Sequence, residues 1–424
     1  MSTILTNARL INPETETEHL GTLAFEDGVI TRVTRDVTDV ARSIDCKGLC
    51  LAPGIVDIGV KIGEPGERHK ESFRSAGAAA AAGGITTMVI RPDTTPAVDS
   101  PEILEFVHRR AKADAPVRIL PMAALTKGRA GTEMAEIGFL QDAGALAFSD
   151  ADAVLKDTKV LSRCLTYAKG MEALIIGHPQ EPSLSAGASA TSGKLASKLG
   201  LPSVSAMAER IELDRLLALV EMTGVRFHFD QITTQSGLRA FVRGKEKGLP
   251  VTAGCSIHHL TLNAYDIEGY RTFFKVKPPL REEEDRLAMV EAVARGQIDI
   301  VSSMHTPQDE ESKRLPFQEA ASGAIGLETF LPAMMRLVHA GAITLPKLWR
   351  SMSLNPSALL KLPTGRLSEG APADLVLFDP DAPFVLDRFT LRSKSKNTPF
   401  DGQRLQGRVY GTWINGEKIF DAAN

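Results

Sequence analysis

A chain of 424 residues with a hydrophobic fraction of 43% is long enough for two or three domains, or for one large barrel with an accessory module. Its formal net charge of −3, with acidic and basic residues interspersed, offers neither a nucleic-acid stripe nor a patch for anionic membranes, so neither partner is expected. Four dispersed cysteines, Cys46, Cys50, Cys164 and Cys255, form no CxxC pair and suit reduced, buried thiols, and the chain lacks both a signal-like start and a bilayer-length apolar run. A cytoplasmic protein is the expectation.

Residues 1–52 read as β-structure, with "STILTNARLIN" and "GTLAFEDGVITRV" as strands and Asp27-Gly28 as a hairpin signal. From residue 53 the pattern changes. "PGIVDIGVKIGEPG" opens a series of short apolar strands, among them "GITTMVIRP", "VRILPMAAL", "GALAFSD", "ALIIGHP", "VRFHFD", "LPVTAG" and "DIVSSMH", that alternate with helical stretches such as "PEILEFVHRRAKAD". About eight βα units imply a closed parallel barrel over residues 53–350, with its chemistry at the C-terminal strand ends. Residues 351–424 return to strands, "ADLVLFDP", "FVLD" and "RVYGTWINGEKIF", the last turning at Asn415-Gly416. The predicted fold is therefore α/β, a (β/α)8 barrel with a small β-sandwich domain built from both termini. Two polar stretches, 183–200 and 305–317, follow predicted barrel strands and read as lids, interfaces or solvated loops.

Beyond these patterns, the segments "LAPGIVDIGV", "VTAGCSIHHLTL", "KPPLREEEDR", "GAIGLETFLP" and "NPSALLKLPTGRLSEGAPADLVLFDP" resemble the dihydroorotases of the amidohydrolase superfamily. The resemblance runs over almost the whole chain. It implies a TIM barrel of the amidohydrolase type and a binuclear zinc site, in which metal lowers the pKa of a bridging water and polarises the ring amide to be opened.

Carried over position by position, that resemblance places altered residues where the family has ligands. The His-x-His pair of the first strand falls on Gly59 and Lys61, and a substrate-gripping arginine two residues on falls on Gly63. The bridging carboxylate falls on Ala151, flanked by Asp150 and Asp152. His178 matches a ligand histidine; the next ligand position is Gln231, with His228 a non-ligand histidine. The aspartate that binds metal and shuttles the proton is Met304, and a later substrate histidine is Gln308. Two substrate-binding asparagines correspond to Asp93 and Lys277. His258 and His259 match a structural pair.

Read this way the chain has no catalytic residues, no metal ligands and no cofactor, and it is similar to the inactive pseudo-dihydroorotases that scaffold aspartate carbamoyltransferase in pyrimidine biosynthesis. The resemblance implies the carbamoyltransferase catalytic chain as partner, in a homodimer or a higher hetero-oligomer. A second reading keeps an enzyme, a cyclic-amide hydrolase with an atypical or mononuclear zinc site assembled from His178, Asp150 or Asp152, Gln231 and His305. An inward lysine in a barrel mouth is costly unless paired, so Lys61 is expected to meet Asp57, Asp93 or Asp150.

Overall fold

The computed structural model describes residues 2–36 and 43–422. Its barrel staves are the parallel strands Ile55–Val60, Ile85–Ile90, Arg118–Pro121, Leu174–Gly177, Arg226–Phe229, Val251–Ser256 and Ile300–Ser302. Phe148 supplies the missing stave, bridging in parallel to Ala123 on one side and Ile175 on the other. Near-continuous burial explains why these segments read as unbroken apolar runs rather than alternating ones, since helices cover the outside and side chains fill the inside.

The barrel closes between its last and first strands. Asp57, wholly buried on the first strand, accepts the Ser303 N–H at 2.9 Å and the Ser303 hydroxyl, and Lys61 N–H donates to the His305 carbonyl at 2.8 Å. Burial pushes the Asp57 carboxyl up to about 7 even though both Ser303 bonds favour its charged form. Ser303→Ala removes one of the two donors from a buried acceptor. It should cost about 1–3 kcal/mol, read from denaturant midpoints at constant slope.

Both termini meet in one eight-stranded sheet. The path runs Glu417–Asp421, Arg404–Ile414, Leu375–Val385, Cys50–Pro53, Thr3–Asn12, Thr17–Glu26 and Val29–Thr34, with Ser43–Asp45 pairing beside Thr3–Asn12. The predicted hairpin positions take the backbone those turns require: Asp27, Gly28, Asn415 and Gly416 all have positive φ. Trp349 Nε1 donates to the Pro53 carbonyl at 2.8 Å and Ser353 Oγ to that of Gly54, tying the helical run after the barrel to the base of its first strand.

The stretch 183–200 carries short helices, Pro182–Ser185 and Lys194–Leu199, and half of a two-stranded parallel ladder, Ala190–Thr191 with Ser203–Val204. In 305–317 a single helical turn, Glu310–Lys313, starts at Asp309, whose carboxylate accepts the Ser312 N–H. Among the described residues no helix is long and apolar enough to cross a membrane.

Candidate functional site

The first strand and the loop after it deliver Gly59, Lys61 and Gly63 to the barrel mouth, and the two glycines sit where a side chain has no room. Gly59 has φ +92°, and a Cβ built there would lie 2.9 Å from Met304 Sδ and 3.2 Å from its Cε. Met304 comes from the loop after the last strand, so two altered positions 245 residues apart fill a single space. At Gly63 a Cβ would lie 2.2 Å from the Glu67 carbonyl oxygen, because the loop folds back over it. That contact is backbone and cannot swing aside.

Lys61 pairs as the cost of burying it demands, with Asp93 rather than Asp57 or Asp150. Its Nζ lies 3.2 Å from Asp93 Oδ2 and 3.7 Å from Glu67 Oε2. Arg91 completes the arrangement, its Nε and Nη2 donating to the two Asp93 oxygens at 3.1 and 2.8 Å. Burial works against the Asp93 charge, but Arg91 and then Lys61 outweigh it and hold the carboxyl below its ordinary value. Asp57 is taken up by Ser303, and Asp150 accepts the N–H groups of Leu125 (2.9 Å) and Thr126 (3.0 Å) as well as the Thr126 hydroxyl.

Asp152 faces the mouth. It accepts from Lys277 Nζ at 3.0 Å and Arg129 Nη2 at 3.2 Å. Burial opposes its charge, yet Arg91 and Lys277 hold the carboxyl far below the carboxylate range. Ala151, with φ 51°, turns the chain between the two aspartates and contributes no donor of its own.

His178 is buried, and its Nδ1 bonds the Asp230 carboxylate at 2.9 Å; a carboxylate accepts, so that nitrogen carries a proton. Among the described residues Nε2 has no partner, and neither has Gln231 Oε1 beside it, whose Nε2 donates to the Lys277 carbonyl at 3.4 Å. Gln308 lies apart from this group, donating from Nε2 to the Ser322 carbonyl. Arg91, Asp152, His178, Gln231, Lys277 and Met304 line one cavity of about 60 Å³. The structure thus brings together five of the positions singled out from sequence, Asp152, His178, Gln231, Lys277 and Met304, and adds Arg91 and Asp230. A charged residue closing an apolar strand, as in "VIRPD", was the available signal for Arg91.

His228, His258, His259 and His305 are also buried in the barrel. His228 Nδ1 meets the Thr252 hydroxyl at 2.8 Å, His259 bonds Ser256 Oγ and the Pro278 carbonyl, and His258 stacks on Phe400. Burial pushes all three down to about 3, so they stay neutral. His305 accepts the Gly326 N–H on Nδ1 and turns Nε2 toward Glu71, 3.5 Å away, in a fully buried pair.

The donor set does not fit a binuclear zinc centre. No group of three or more His, Cys, Asp or Glu side chains suited to a metal exists among the described residues, and Arg91, Lys61 and Lys277 place positive charge where a dication would sit.

A parallel barrel closed at its mouth, with a sheet made from both termini, defines an amidohydrolase-type protein. Within that class, residues 48–237 match the dihydro-orotase-like family model. The chain is 36% identical to the dihydroorotase of Syntrophus aciditrophicus (strain SB), covering 99% of each, and 37% identical to the dihydroorotase-like protein of Pseudomonas putida, covering 98% of each. It superposes on the L-hydantoinase (dihydropyrimidinase) of Arthrobacter aurescens with a TM-score of 0.89 at 25% identity, over 99% of this chain and 96% of that one. The chain belongs to the dihydroorotase-like family. That membership overturns the expectation of no cofactor, since the family consists of metal-dependent amidohydrolases.

Proposed function

We propose that this dihydroorotase-like protein does not open or close the dihydroorotate ring and serves instead as a scaffold for the catalytic chain of aspartate carbamoyltransferase in pyrimidine biosynthesis. The observation that carries the reading is the fit of Met304 against Gly59. Where the family has a ligand histidine and a proton-shuttling aspartate, this chain has a thioether packed on a glycine, and a thioether cannot take a proton from water or return it to a leaving nitrogen. The substrate handle is changed as well. The Gly63 loop excludes an arginine, and Asp93 presents a carboxylate where the carboxylate of the substrate would bind.

What the barrel keeps is a rigid, closed framework, and a framework without its reaction centre is most readily used as a binding partner. A second reading draws on His178. A histidine whose Nδ1 is held by a carboxylate and whose Nε2 is open has the orientation of a metal ligand, and it favours a cyclic-amide hydrolase with an atypical zinc site.

One experiment separates the two. The purified chain, supplied with zinc, is assayed for dihydroorotate formation and hydrolysis, and is run on a sizing column with the carbamoyltransferase chain. Co-elution without turnover is the expected result. Zinc-dependent turnover, or separate elution of the two chains, overturns the scaffold reading.

A further inference from the structure

The largest cavity described lies away from the barrel mouth, between helix Phe330–His339 and the paired strands Leu375–Val385 and Arg404–Ile414, and encloses about 430 Å³. Its walls are mixed: Pro332, Phe384, Leu386, Leu391, Val409 and Phe420 give it an apolar side, and Glu328, Asp387, Arg392 and Arg408 a charged one. That volume lies in the range of small-ligand and side-chain pockets and has room for a Leu- or Phe-sized group. One large apolar side chain in its lining, Val385, stands 61% exposed.

The charge around this cleft differs from that of the chain as a whole. Between residues 384 and 408 there are six basic side chains against two acidic, in a protein of net charge −3. The carboxylates at the cleft are already engaged: Glu328 accepts the N–H groups of Arg392 (2.7 Å) and Ser393 (3.3 Å), and Asp387 accepts that of Phe389 (2.9 Å). Burial in addition pushes the Glu328 carboxyl up to about 7, which reduces its negative charge near neutrality.

The guanidiniums are less satisfied. Arg408 lies over the Phe384 ring at 5.6 Å and has no carboxylate within ion-pair distance among the described residues. Arg392 rests on Phe420 at 4.9 Å, with Glu328 only at 3.8 Å. Flat guanidiniums lying on aromatic rings, above an apolar side and beside the exposed Val385, have the composition of an interface centre.

We propose that this cleft is a docking groove for an acidic segment of a partner protein, which inserts one apolar side chain between Phe384 and Phe420 and sets its carboxylates against Arg392 and Arg408. Complementary charge selects the segment and speeds its encounter, while the apolar anchor supplies residence. The groove is a surface a scaffold would need, and its assignment holds whichever protein owns the segment and whatever the barrel mouth does.

The test uses the full chain and a fluorescein-labelled nonapeptide with a Leu-Phe pair flanked by seven glutamates, followed by anisotropy in low salt. Saturable binding is expected, weakened about tenfold by Arg408→Glu and similarly by half-molar sodium chloride, because screening acts on the same contacts. Arg408 is exposed, so the variant should keep the circular dichroism of the parent and should gain affinity for the matching lysine peptide. The proposal is overturned by any of four results: no binding to the wild-type chain at millimolar peptide; binding indifferent to Arg408→Glu; equal binding of the lysine peptide by the wild-type chain; or displacement of the peptide by anionic vesicles or an oligonucleotide that bind more tightly and show the same Arg408 dependence.

Discussion

Gly59→His is expected to destabilise the protein by about 2–6 kcal/mol in urea unfolding and to bring no dihydroorotase activity with it. Two costs add. At φ +92° a residue with a Cβ is strained, by about 1–3 kcal/mol, and the imidazole must also displace the Met304 thioether, an overpacking cost of about 1–3 kcal/mol. The thioether end is flexible enough to give way to one methyl group. Gly59→Ala should therefore show little beyond the backbone strain, and the difference between Ala and His isolates the steric part.

Combining Gly59→His with Met304→Ala should recover that steric part, roughly half of the loss, and leave the backbone cost in place. A double variant no more stable than Gly59→His alone would show that Met304 is not what fills the site. The consequence concerns how the site changed. A histidine at this position needs a different backbone as well as a vacated partner, so the positions Gly59 and Met304 depend on each other and single reversions cannot rebuild the ligand set.

Much of the architecture was legible because it rests on local pattern. Apolar runs of strand length, Asp27-Gly28 and Asn415-Gly416 turns, and helical stretches between them locate barrel and sheet without any long-range information. Even the shortest stave, a pair of isolated bridges at Phe148, falls within the run "GALAFSD" that marks it. Pairing at the mouth was legible only as a requirement. Sequence shows that Lys61 needs an anion, but the choice among Asp57, Asp93 and Asp150 depends on Ser303 and on Leu125 and Thr126 having taken the other two. Contacts between residues far apart in the chain, such as Gly59 with Met304 or Lys277 with Asp152, are set by barrel closure and have no local trace.

That same network gives the second large effect. Arg91→Met should cost about 3–5 kcal/mol at pH 7, and Lys61→Met clearly less, about 1–2 kcal/mol. Asp93 is almost wholly buried; Arg91 gives it two well-placed hydrogen bonds, at 3.1 and 2.8 Å, whereas Lys61 approaches one oxygen at 3.2 Å and is shared with Glu67. Loss of the fork leaves a buried carboxylate with a single shared cation. The pH dependence has a definite sign. A carboxylate held below its ordinary value, 3.8 for an aspartate, contributes stability that is present above that value and is lost as pH falls through the lower, folded-state one. Without Arg91 the burial of Asp93 is opposed by Lys61 and, more weakly, by Arg129, its carboxyl rises, and less of that contribution remains to be lost. The gap in urea midpoint between wild type and Arg91→Met should therefore be widest near neutrality and narrow as pH is lowered toward 4, while the gap for Lys61→Met narrows in the same direction from a smaller starting value. Equal costs for the two variants, or a gap that widens in acid, would mean that Asp93 is not the anion around which the mouth is built.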